Sequence, residues 1–82
     1  MDKQAIFNLV SEIVRRELGD TNMELSLASK PSSVDKWDSI NNLSIINSIE
    51  EKFGITFSID DIFHMESVDD ICNCISKTQS SK

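Results

Sequence analysis

The chain has 82 residues, with 8 basic against 14 acidic side chains and a formal charge of −6, so it can bury one small core and leaves no room for a second domain. That charge repels phosphate backbones and anionic headgroups, which argues against nucleic acid or a membrane as partner and favours basic protein surfaces. The first ten residues mix Asp2, Lys3, Gln4 and Asn8 with apolar ones, forming neither a signal-peptide core nor a membrane span, as expected of a cytoplasmic protein.

Ile6, Leu9, Val10, Ile13 and Val14 recur at three- and four-residue spacing, which predicts a helix from Lys3 to Leu18 stopped by Gly19. From Asp20 to Trp37 no period is sustained, and Pro31 interrupts Ser29-Lys30-Pro31-Ser32-Ser33. Such a loop is long for so small a domain and has to pack. Met23, Leu25, Leu27, Val34 and Trp37 supply the apolar groups that would lay it across the helices.

A second helix is predicted from Ser39 to Phe53, closed by Gly54. Ser58-Ile59-Asp60-Asp61-Ile62-Phe63 reads as a short serine-capped helix that needs tertiary contacts to persist. A last helix opens at Ser67-Val68-Asp69-Asp70, with Val68, Ile71, Cys72 and Ile75 on one face and Lys77 near its end. Residues 78–82 form a polar tail expected to fray. Gly54-Ile55-Thr56-Phe57 is the one candidate strand and has no partner strand. The fold class is therefore all-α: a small bundle of three main helices plus one short helix, with a long ordered loop between helices one and two. It forms a single domain over residues 1–77, expected to be monomeric.

Cys72 and Cys74 stand two apart on a helix and point about 200° away from each other, so they cannot join and are expected to be reduced thiols. Neither they nor His64, eight residues before Cys72, make a zinc pattern, and no metal site is expected. The runs Asp60-Asp61 and Asp69-Asp70 lack the loop of a calcium site and suit helix starts instead.

The second helix carries the functional signal. With Ile40 at 0° and about 100° per residue, Leu43, Ile45, Ile46, Ile49 and Phe53 fall on an arc between about 140° and about 300°, which should face the core. Ile40 falls on the opposite side with Ser44, Asn47 and Glu51, which predicts an exposed apolar side chain beside Ser39 and hence a partner contact. Asp38 is a good N-cap, which leaves Ser39 as the first helical residue with a hydroxyl free of capping duty. Unpaired N–H groups and positive potential at that helix start suit an attached phosphodiester.

The stretch from Trp37 to Ile55 resembles the acyl carrier protein family, in which an Asp-Ser-Leu motif opens the second helix and an acidic segment ending in Phe-Gly closes it. Here the motif stands as Asp38-Ser39-Ile40 and the closing segment as Glu50-Glu51-Lys52-Phe53-Gly54-Ile55. The resemblance implies that Ser39 receives 4′-phosphopantetheine from coenzyme A through a separate phosphopantetheinyl transferase. The arm's thiol then holds acyl groups as thioesters for acyl-loading and acyl-processing enzymes with basic surfaces. Ser39 would be an attachment point and not a catalyst, which agrees with the absence of a nucleophile elbow or an adjacent base.

Members serving fatty acid synthesis usually carry acidic residues along the outer face of this helix, where this chain has Asn41, Ser44, Asn47 and Ser48, leaving acidity at Glu50 and Glu51. Charge on such a face governs encounter and partner choice, so a specialised carrier is expected, with Ile40, Asn41, Ser44, Asn47 and Glu51 as the partner face; the short length of the chain makes a free-standing carrier the expectation. Aspartate where peptidyl carriers have histidine makes aminoacyl cargo the weaker choice. Trp37 is expected to pack the loop against the second helix. Two competitors stand beside this reading. One is a hydrolase built from Ser39, His64 and a carboxylate, which lacks an oxyanion hole. The other is an acidic helical interaction module that is never modified.

Overall fold

The computed structural model describes residues 2–34 and 36–80. Four helices follow one another: α1 (Lys3–Leu18), α2 (Ser39–Phe53), α3 (Ile59–His64) and α4 (Val68–Ser80), with a single 3-10 turn (Pro31–Ser33) in the long loop. No strand forms among the described residues, and residues 55–57, after the turn at Gly54, form an irregular link.

Caps set the ends of the helices. The Asp2 side chain accepts from the Ala5 N–H at 2.8 Å to start α1. Gly19 and Gly54 end α1 and α2 with φ of 69° and 66°, a conformation in which a side chain would be strained. Ser58 and Asp61 form a reciprocal capping box at α3, which a helix of six residues needs because its own backbone bonds are few. The Ser67 hydroxyl accepts from the Asp70 N–H at 3.2 Å ahead of α4. That last helix runs three residues past the boundary expected at Lys77. Thr78 and Gln79 are half-buried there, so the polar segment gains contacts that a free tail would lack. The remainder of the expected tail, Ser81 and Lys82, lies outside the described residues.

α1 packs against both α2 and α4. The core is built from Ile6, Val10, Ile13 and Val14 of α1, Ile45, Ile46 and Ile49 of α2, and Val68, Ile71, Cys72 and Ile75 of α4, all buried. Trp37, Ile55, Phe57 and Met65 from the connecting segments complete it. Leu9, placed with this set by its spacing, is only half-buried. Cys72 is fully buried and Cys74 half-buried, and loss of hydration pushes the Cys72 thiol up to about 11 and raises that of Cys74. Burial therefore favours the protonated form of both thiols near neutral pH.

The long loop is tied down at several points. The Arg15 Nε–H donates to the Met23 carbonyl at 2.8 Å. The N–H groups of Val68 and Asp69 at the start of α4 donate to the carbonyls of Ser29 and Leu27, each at 2.9 Å, and Lys3 pairs with Asp69 across the same seam. Met23, Leu25 and Val34 pack against the core as their apolar character predicts, whereas Leu27 remains 38% exposed.

Leu43 departs from expectation: it is 60% exposed and not in the core. It sat at the very end of the predicted arc, about 60° beyond Ile46, and the side of the first turn that approaches the core is taken up by the buried Trp37 indole bonded to Asn42.

Ser11 is 2% exposed, and its hydroxyl has no hydrogen-bond partner among the described residues. Burying an unpaired hydroxyl is costly, and serine is a weaker helix former than alanine. Ser11→Ala is therefore expected to raise the unfolding free energy by about 1 kcal/mol, which urea denaturation followed by circular dichroism will measure; a loss of stability would show the hydroxyl to be engaged.

Candidate functional site

The first turn of α2 projects from the end of the long loop. Asp38 has extended backbone geometry (φ −88°, ψ −177°), and its Oδ1 accepts from the Asn41 N–H at 2.8 Å. Its carbonyl accepts from the Asn42 N–H at 2.8 Å, beginning the helical ladder. Because Asp38 supplies the cap, Ser39 occupies the first helical position, and both residues are exposed. Among the described residues no hydrogen bond engages the Ser39 hydroxyl, and the N–H groups of Ser39 and Ile40 have no acceptor. An exposed hydroxyl beside two unfilled donors at the positive end of a helix fits a phosphodiester attached there.

Two side-chain bonds hold this turn in place. Trp37 is 4% exposed, and its Nε1–H donates to Asn42 Oδ1 at 2.9 Å. The Asn41 amide donates to the Lys36 carbonyl at 2.7 Å. One asparagine thus anchors the indole and the next anchors the loop backbone, so the approach to Ser39 is braced on both sides. The Trp37 role expected from the sequence, loop packing and not substrate contact, agrees with this burial. Asn42 was not singled out by the sequence reading, yet it lies at about 200° on the wheel, in the middle of the apolar arc. A polar residue there calls for a buried partner.

The outer face of α2 is only partly as expected. Ile40 is 77% exposed, and Ser44, Asn47 and Glu51 are exposed with it. Asn41 is half-buried and turned toward Lys36. Ser48 leaves the face altogether: it is half-buried, and its hydroxyl donates to Glu17 Oε1 of α1 at 2.6 Å. Glu50 is likewise drawn inward, its carboxylate accepting from the Phe57 N–H at 2.8 Å. Glu51 is the carboxylate that remains outward near the end of the helix. Leu43 joins the exposed face as a residue that the wheel had assigned to the core.

His64 is exposed at the end of α3, with Nδ1 2.8 Å from the Asp60 carbonyl and 3.9 Å from the Asp60 carboxylate. The bond to that backbone carbonyl, helped by the carboxylate, raises its pKa above the ordinary imidazole value. The ring is engaged within its own helix turn, and no contact joins it to Ser39 among the described residues.

Ser39 is thus a solvent-exposed residue on a helix start capped by Asp38. Residues 4–75 match the family described as phosphopantetheine attachment site, and the chain belongs to this family of phosphopantetheine-bearing carrier proteins. It is similar in structure to the holo acyl carrier protein from Geobacter metallireducens solved in solution by NMR. That similarity has a TM-score of 0.84 and 21% sequence identity, over 92% of this chain and 86% of the other. No curated protein matches the chain. The helical bundle expected from the sequence is thus the bundle of an acyl carrier protein. The protein is a carrier with a covalent attachment site for 4′-phosphopantetheine, not an enzyme, and meets the transferase that attaches the arm.

The Trp37 to Asn42 bond is the brace on which the geometry of this turn rests. Trp37→Phe keeps the ring but removes the donor, leaving the half-buried Asn42 amide without its partner, and is expected to cost about 1 kcal/mol. Circular dichroism in urea will check this; no loss would mean that the hydrogen bond adds nothing to packing.

Proposed function

We propose that Ser39 is the attachment point of the phosphopantetheine arm, and that the protein presents acyl thioesters to partner enzymes of a specialised pathway in place of housekeeping fatty acid synthesis. The observation that carries the first part is the exposed Ser39 hydroxyl, free of hydrogen bonds on a turn capped by Asp38. In the transfer, the serine oxygen bonds to the phosphorus of coenzyme A that bears pantetheine. The bond from that phosphorus to the bridging pyrophosphate oxygen breaks, and adenosine 3′,5′-bisphosphate leaves. The serine proton goes to a base on the transferase, since the neighbouring Asp38 carboxylate is engaged in capping the Asn41 N–H. Asp38 positions the serine by capping, and the N–H groups of Ser39 and Ile40 are available to the phosphate oxygens.

The specialised pathway is supported by the exposed face of α2. Ser44 and Asn47 are neutral, and Asn41, Ser48 and Glu50 are spent on bonds within the protein. With Glu51 as the outward carboxylate of that stretch, a strongly basic patch on a partner finds little to recognise. Acyl cargo, supported by the likeness to an acyl carrier protein, and a cytoplasmic location complete the reading; among the described residues no helix is long and apolar enough to cross a membrane.

Incubation with coenzyme A and a promiscuous phosphopantetheinyl transferase is expected to add one phosphopantetheine by intact mass. Ser39→Ala is expected to remain folded, within about 0.5 kcal/mol of the parent, and to take up none. An adduct on the Ser39→Ala variant would overturn the assignment. The pathway reading predicts that a housekeeping malonyl transferase loads the holo protein at least about tenfold less efficiently than its own carrier, equivalent to about 1.4 kcal/mol; equal efficiency would remove the case for specialisation.

A further inference from the structure

Leu9 stands in the apolar register of α1 yet is only half-buried, and a cleft opens beside it. Leu9 and the buried Ile13 supply its apolar lining, while Glu12, Arg15 and Arg16 of α1 and Lys52 of α2 supply its charged lining. Its volume of about 610 Å³ lies within the range of small-molecule sites, about 300–1,000 Å³. Three of the chain's 8 basic residues thus converge on one cleft in a protein of formal charge −6. Arg15 and Arg16 stand in the last turn of α1 and Lys52 in the last turn of α2, where a cation complements the helix dipole. That accounts for their sign and not for their convergence. Among the described residues no ion pair joins any of the three to a carboxylate. The Arg15 Nε–H donates to the Met23 carbonyl, which leaves the terminal N–H groups of that guanidinium. Two carboxylates next along the chain are already engaged, Glu17 accepting from the Ser48 hydroxyl and Asp20 from the Asn22 N–H.

We infer that this cleft binds a small organic carboxylate with an apolar body. The exposed Arg16 guanidinium presents a planar fork that matches a carboxylate, and Lys52 adds a second positive charge. Leu9 and Ile13 take the hydrocarbon part, whose burial supplies the remaining affinity. A hydrocarbon alone would leave the cations without a counter-charge, and a bare inorganic anion would leave the apolar lining uncovered. One molecule with both parts answers both. Glu12, the carboxylate in the lining, opposes a second negative charge on the ligand and so favours a monoanion. Lys52 stands about 20 Å along α2 from Ser39, so the cleft is separate from the serine and does not depend on what is attached there.

Titration of the full, unmodified chain with phenylbutanoate, followed by amide correlation NMR spectra, tests this. Saturable shifts are expected at Leu9, Ile13 and Lys52 with a Kd on the order of 1 mM, while the Ser39 amide stays in place. The uncharged phenylbutanamide should bind at least about tenfold more weakly, and phenylbutylammonium should not bind. Arg16→Gln combined with Lys52→Gln should weaken the carboxylate at least about tenfold, whereas Arg16→Lys combined with Lys52→Arg, which keeps both charges, should stay within about threefold of the parent. Glu12→Gln should tighten binding about twofold by removing a repulsion, an effect that a merely structural role would not produce. Circular dichroism verifies folding, and if the double glutamine variant is unfolded, each single variant gives the same reading. Absence of a saturable shift up to about 10 mM overturns the inference. So does equal binding of the amide, or a Kd unchanged by the two glutamines. Shifts centred on Ile40 and Leu43 would also overturn it, by placing the ligand on the exposed apolar surface of α2. No coenzyme A or transferase enters the measurement, so its failure would leave the assignment of Ser39 untouched.

Discussion

The hydrogen bond from the buried Trp37 indole to Asn42 is the constraint on which the working end of this molecule depends. A serine that must be reached by other proteins has to stand in solvent, and exposed helix starts fray readily. Here the residue two positions before Ser39 is in the core, and the residue three positions after it grips that indole. The exposed turn is thus flanked by buried structure. Asp38 caps the helix between these supports, so rigidity is obtained without occupying the serine hydroxyl. Removing the anchor would leave the cap intact but take away one of the two side-chain bonds that hold the turn.

The polar residues of α2 divide into two uses. Asn41, Asn42, Ser48 and Glu50 bond to the loop, the indole, α1 and the link to α3 respectively. Each satisfies a group that burial or a chain reversal would otherwise leave short of a partner. Ser44, Asn47 and Glu51 have no such duty among the described bonds and face outward with Ile40 and Leu43. A helix that reads as uniformly polar on its outer side therefore presents a narrower, more apolar and less charged surface than its composition implies.

Much of the architecture was legible because local rules and tertiary packing agree. Gly19 and Gly54 end α1 and α2 at the residues where left-handed backbone is needed. Val68, Ile71, Cys72 and Ile75 repeat on one face and are all buried. Ser39, freed by an aspartate cap, was legible from two adjacent residue types and their order. The misses have a common origin: each depends on what a neighbour outside the helix does. Leu43 lies at the edge of its arc, where a small rotation decides burial, and the wheel contains no tryptophan from the preceding loop. Ser48 and Glu50 look like surface residues until α1 and the link after Gly54 come within hydrogen-bond reach. The extension of α4 to Ser80 likewise follows from partial burial of Thr78 and Gln79, which propensity alone does not contain.

The carbonyls of Leu27 and Ser29 accept from the first two N–H groups of α4, which the Ser67 hydroxyl does not reach, although they lie about forty residues earlier in the chain. The order of assembly is affected by that choice. The first turn of α4 cannot complete its hydrogen bonds until the loop has landed, and the loop cannot settle its own carbonyls until α4 has begun. Each segment therefore completes the backbone hydrogen bonds of the other. In a chain this short, such mutual dependence turns a long irregular connection into part of one cooperative unit.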